Sequence, residues 1–183
     1  MVRAALVLAL LLAPSSHVIR TSATIQHLGG WRIERDPTLR GAIRAFGPPT
    51  SCRLVDGPDH AVAVWRPLGV AVELRTYGSL RRGETACTAP GHIQVDHVRV
   101  TSRVWLTSLG LRIGDSTQKL RHLYPKARLK KLGTLPRAYW LVTRWGACVG
   151  LCDAALTTIP VLLAEVRGGK VTAFSLQVGA EGD

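Results

Sequence analysis

The sequence predicts an α+β fold of two tandem units, each a short helix followed by about four antiparallel strands, with the helices on one face of the sheet. Three observations carry this expectation. The segment Gly30-Trp31-Arg32-Ile33 has a counterpart in Gly110-Leu111-Arg112-Ile113. Each copy leads into a helix-start signal and a short helical pattern stopped by proline, at Pro48 and at Pro125. After each helix the hydrophobic period changes from helical to alternating, the pattern of half-buried strands.

The chain opens with the three parts of an export signal. Arg3 supplies the positive region, Ala4 to Ala13 is an uncharged apolar run, and Pro14 with small residues follows. The run is too short to span a bilayer, which takes roughly 20 apolar residues. Thr21 and Ala23 are small residues spaced for signal peptidase, so cleavage is expected after Ala23, with a cut near Ser15 as the competing choice. Residues 1–23 are thus read as the signal peptide, 24–104 as the first unit and 105–183 as the second. No cysteine precedes Cys52, so no lipid-acceptor thiol is expected, and the product is read as secreted and soluble.

In the first unit, Asp36-Pro37 offers a capping side chain before proline at the first helical position. The helix runs to Phe46-Gly47, and strands follow at Ser51–Val55, Ala61–Arg66, Val70–Tyr77 and His92–Val100. Pro67-Leu68-Gly69 makes a tight turn, and Thr101–Ser108 joins the units. In the second unit, Asp115-Ser116-Thr117 supplies caps for a helix ending at Leu123-Tyr124. Strands follow at Ala127–Lys131, Ala138–Trp145, Val161–Arg167 and Val171–Val178, the last two joined at Gly168-Gly169, a strong hairpin signal.

A tandem helix-then-sheet unit in an exported, disulfide-bonded chain resembles the β-lactamase inhibitor protein fold. The segment Leu109-Gly110-Leu111-Arg112-Ile113-Gly114-Asp115-Ser116, with Leu120 and Leu123-Tyr124-Pro125, is also similar to the helix-start signature of the small lipoproteins of outer-membrane assembly. The resemblance implies a fold and a style of binding, a concave sheet that grips a partner. It names no target, because fold does not fix function.

Four cysteines, Cys52, Cys87, Cys148 and Cys152, read as two disulfides in an exported chain. Of the three pairings, Cys52–Cys87 with Cys148–Cys152 is favoured because each bond then closes within one unit. A zinc site would show closer-spaced cysteine pairs or neighbouring histidines, so no metal is expected, and no cofactor.

The formal charge is +12, and loss of Arg3 and Arg20 with the signal peptide would leave +10. Between Asp115 and Asp153 there is no acidic residue, while Lys119, Arg121, Lys126, Arg128, Lys130, Lys131, Arg137 and Arg144 all lie there. Lys126, Arg128, Lys130 and Lys131 are the candidate polyanion contacts, for an anionic envelope polymer rather than nucleic acid, given the export signal.

Alternation also marks a wet sheet face. Val70, Val72 and Leu74 point one way, whereas Glu73, Arg75 and Tyr77 point the other; Glu165 and Arg167 share a side, as do Ser175 and Gln177. Trp65, Tyr139, Trp140 and Trp145 are candidates to add aromatic surface there. Arg75, Tyr77, Arg144, Trp145 and Arg167 are the candidate contacts for a protein partner. No catalytic motif is present. His92, Asp96 and His97 are the nominees for a hydrolase site, but strand positions four apart are separated by about 13 Å, too far for a direct His92–Asp96 pair. The expected function is therefore a non-enzymatic, secreted binding protein, an inhibitor among the options; the rivals are an envelope-polymer binder and an envelope hydrolase.

Overall fold

The computed structural model describes residues 17–76, 78–91, 93–130, 138–147 and 156–178. It is an α+β structure. Among the described residues there are two short helices, α1 (Leu39–Phe46) and α2 (Thr117–Leu123). A large antiparallel sheet holds β4 (Ser51–Leu54), β5 (His60–Trp65), β6 (Val70–Arg75), β7 (Gln94–Val100), β9 (Arg128–Lys130), β10 (Ala138–Ala147), β11 (Leu156–Arg167) and β12 (Lys170–Gln177). Their spatial order is β4-β5-β6-β7-β12-β11-β10-β9. Each half of the chain thus contributes a four-strand meander, and the last strand of each, β7 and β12, meets its counterpart at the centre. The eight predicted strands are all present, and β11 starts earlier than expected.

The helix caps explain where the helices begin. Ser116 caps α2 through its hydroxyl, which accepts from Lys119 N. At α1 the expected capping residue is displaced: Thr38, not Asp36, accepts from Gly41 N. Asp36 instead accepts from the Thr38 hydroxyl at 2.6 Å and pairs with Arg44. The reason is Pro37, which sits one residue before the cap rather than inside the helix. Gly41 is required by this arrangement, since a Cβ there would lie 2.5 Å from the Asp36 carbonyl oxygen.

A second, mixed sheet lies outside the sequence expectation. It orders β3 (Trp31–Arg32), β2 (Gln26–Leu28), β1 (Val18–Thr21) and β8 (Leu106–Thr107), with β1 parallel to β8 and antiparallel to β2. β8 falls in the segment read as a plain join, and β1 within residues assigned to the signal peptide. These strands are two to four residues long, too short to show a period.

Between the sheets sits an aromatic knot. The Phe46 ring meets Trp31, Trp65 and Trp105 edge-on at centroid distances of 5.9, 5.8 and 6.3 Å. Each of these three indole N–H groups finds a backbone carbonyl: Trp31 donates to Asp36, Trp65 to Gly47 and Trp105 to Leu68. Trp65 and Tyr139 therefore belong to the core and not to an exposed face. The hairpin turn is as the sequence predicts, with Gly168 and Gly169 at φ 56° and 74°, the positive values a primed turn needs.

Cys52 on the edge strand β4 is bonded to Cys87, with Cα atoms 5.9 Å apart. Cys148 and Cys152 lie outside the described residues. No helix among the described residues is long and apolar enough to cross a membrane. The Cys52–Cys87 bond points to an oxidising, extracytoplasmic setting.

The bond spans 35 residues of sequence, so a Cys52→Ala/Cys87→Ala chain should lose about 3–4 kcal/mol of unfolding free energy in denaturant titration. An unchanged midpoint would mean that β5 holds β4 without the crosslink.

Candidate functional site

The large sheet has two unlike faces. Ala61, Ala63, Trp65, Val70, Val72, Leu74, Val98, Val100, Phe174, Leu176, Leu162 and Tyr139 join the main core. Alternate positions make the second face. Strand register lines up one transverse row across all eight strands: Ser51, Val64, Ala71, Arg99, Ser175, Leu163, Trp140, Arg128. A parallel row runs Arg53, Val62, Glu73, His97, Gln177.

Charges on this face are paired across strands. Arg99 on β7 grips Glu165 on β11 with two bonds of 2.8 and 2.7 Å, reaching over β12. The hydroxyl of Ser175 donates to the same carboxylate at 3.1 Å. The Arg99 bond is the largest influence on Glu165 and, against partial burial, holds its carboxyl below the usual range. On the neighbouring strands, the buried His60 bonds Glu73 through Nε2 at 2.8 Å. The other Glu73 oxygen lies 4.0 Å from His97 Nδ1. His60 Nδ1 is 3.3 Å from Asp56 but out of line for a hydrogen bond.

His97 is deeply set. Burial is the leading influence and pushes its pKa down, opposed by Glu73, Glu165 and Asp96 and assisted by Arg99. Its Nε2 is buried without a hydrogen-bond partner, and so are Gln177 Oε1 on the adjacent strand and the indole N–H of Trp140. With His60 Nδ1 these make four such atoms on one face among the described residues; buried polar atoms are normally satisfied, so they mark the face as unusual. The Lys130 ammonium stands 4.5 Å from the centroid of the Trp140 ring.

The predicted partner contacts are dispersed. Arg75 ends β6 with its Nε 3.3 Å from Asp96, one of the three hydrolase nominees. Arg167 is exposed at the β11–β12 hairpin, opposite Lys170, at the other end of the sheet and about 26 Å from Arg75 along the strand direction. Arg144 is half-buried in a recess of about 270 Å3, with Gln26, Glu34, Gln94 and Val178 also on its walls. Burial raises the Glu34 pKa there, but bonds from the backbone and from His27 outweigh it and hold the carboxyl low. Trp145 lies in β10, and its side chain is not among the described parts; Tyr77, His92 and Lys131 lie outside the described residues. Of the basic group, Lys126, Arg128 and Lys130 are exposed, the last two on the edge strand β9.

Sequence reasoning passed over Arg99, His60 and Trp140's place in the row. Glu165, Ser175 and Gln177 were marked as wet-face positions, and alternation was the signal that found them. No protein-family model matches the chain, and neither a curated protein nor a solved structure matches it.

Both titrating groups make acid destabilising. His97, lowered from its ordinary 6.5, contributes stability above that value that is lost as pH falls through its folded pKa. Glu165, lowered from 4.5, does the same further down. Thermal melts from about pH 8 to about pH 3 should show both windows in the wild type. His97→Gln should remove the upper one, and Glu165→Gln should cost about 1–2 kcal/mol near neutrality and flatten the lower. Curves parallel to wild type for both variants would contradict the network.

Proposed function

We propose that this is an exported, non-enzymatic binding protein that engages a protein partner through the second face of its large sheet. The observation that carries the reading is the fixed array on that face: cross-strand ion pairs beside four buried polar atoms without hydrogen-bond partners among the described residues. Ion pairs held rigidly before contact give register and specificity. Unsatisfied donors and acceptors gain from an incoming group that completes them. The helices pack against the opposite side, as the Trp65 bond to Gly47 after α1 and the Arg121 bonds from α2 to the Tyr139 hydroxyl indicate. Under this reading the two halves are repeats of one unit. Supporting it, α1 with β4–β7 and α2 with β9–β12 follow the same order, and Trp31 and Ile33 are buried like Leu111 and Ile113. The contact residues are then Trp140, Arg99, His97 and Gln177, with Arg75 at the upper margin.

Immobilised protein should retain a specific extracellular protein that Trp140→Leu and Gln177→Ala chains of unchanged melting temperature do not retain. Equal retention by all three chains, or by none, would count against this face.

A second reading is favoured by the edge of the sheet. Lys126, Arg128 and Lys130 are all exposed, with no acidic neighbour in sequence, which suits an anionic envelope polymer. On a heparin column, a Lys126→Gln/Arg128→Gln/Lys130→Gln chain should elute at lower salt than one neutralised at the equally exposed Arg53, Arg81 and Arg82. Identical elution would reduce the edge to generic charge.

A further inference from the structure

The N-terminal strand decides where processing can occur. Ile19 is fully buried, and β1 is an inner strand of the mixed sheet, bonded to β2 on one side and β8 on the other. Its neighbours are equally committed: Leu106 N donates to His17 O, Ser108 N to Ile19 O, and Gly29 N to Val18 O. The His17 ring meets Trp105 edge-on at 4.9 Å, joining the aromatic knot. A cut after Ala23 would delete all of this. β2 and β8 would face each other across an empty lane, and the core would lose Ile19, which pairs with Leu28 on β2 and Thr107 on β8. Buried backbone groups without partners and a cavity of that size each cost several kcal/mol.

We propose that signal peptidase cuts the Ser15–Ser16 bond, so that the mature chain keeps His17 and β1 as part of its fold. Ala13 and Ser15 are the small residues at the two positions the peptidase reads, directly after the apolar run. Water is the co-reactant: the Ser15–Ser16 amide breaks, its hydroxyl completes the carboxyl of Ser15, and its proton completes the amino group of Ser16. One residue then separates the new terminus from the first backbone bond of the sheet, at His17. The Thr21-Ser22-Ala23 sequence that imitates a cleavage site lies at the β1–β2 turn, where Ser22 N bonds Ile25 O. This proposal rests on the export reading of residues 1–13 and is independent of what the sheet face binds.

The full-length chain, expressed with its own N-terminus in a bacterial host and recovered from the periplasm or medium, tests it by intact mass and N-terminal sequencing. A product beginning at Ser16 is expected; one beginning at Thr24 overturns the position while leaving export intact. A chain still carrying Met1 overturns both. Ser15→Lys should abolish processing and Ala23→Lys should leave it unchanged; the reverse pattern also overturns the proposal.

Discussion

The pairing of β7 with β12 is the interaction on which the molecule depends. It joins two local meanders into one sheet, through only four registered pairs: Val100 with Phe174, Arg99 with Ser175, Val98 with Leu176, and His97 with Gln177. Val98, Val100, Phe174 and Leu176 are all fully buried on the core face. On the other face the same pairs carry Arg99, Ser175, His97 and Gln177. One seam therefore supplies the centre of the core and the centre of the candidate site. Residues more than seventy positions apart in sequence are held there at fixed register, and the Arg99–Glu165 bonds reach one strand further.

A single seam of this kind makes the polar face stiff. A side chain on a central strand has neighbours on both sides, so its rotamer choices are few. That is why the half-buried His97 and Gln177 can stand opposed without satisfying one another: the backbone sets their spacing before their side chains have a say. The unsatisfied atoms are then a property of the sheet. A partner that completes them must first turn these side chains outward, because each atom is closed to solvent.

The large sheet was legible in the sequence because its strands are long enough to show alternation and its turns use demanding chemistry. Val70–Arg75 alternates in and out, and Gly168-Gly169 supplies the two positive φ values that a primed hairpin turn demands. The cap at α1 lies two residues beyond the expected Asp36, at Thr38, because Pro37 precedes the cap instead of opening the helix. Of the candidate contacts, Arg75 and Arg167 were given correct strand positions yet lie at opposite ends of the sheet. Parity along a strand tells which face a residue takes. It does not tell which end of the sheet it reaches.

The sequence by itself determined the class of fold, the order of helices and long strands, and the Cys52–Cys87 pairing as the favoured first crosslink, since each follows from local period, turn residues or proximity within one unit. Tertiary structure alone decided the mixed sheet, the aromatic knot around Phe46, and the array of Arg99, Glu165, His97 and Trp140. These depend on pairing between strands remote in sequence, some only two residues long, and such pairings are chosen by what else must be buried. The N-terminal segment shows the division most clearly. Under the export reading its letters offer two places to cut, and the burial of Ile19 between β2 and β8 is the ground on which we propose the earlier one.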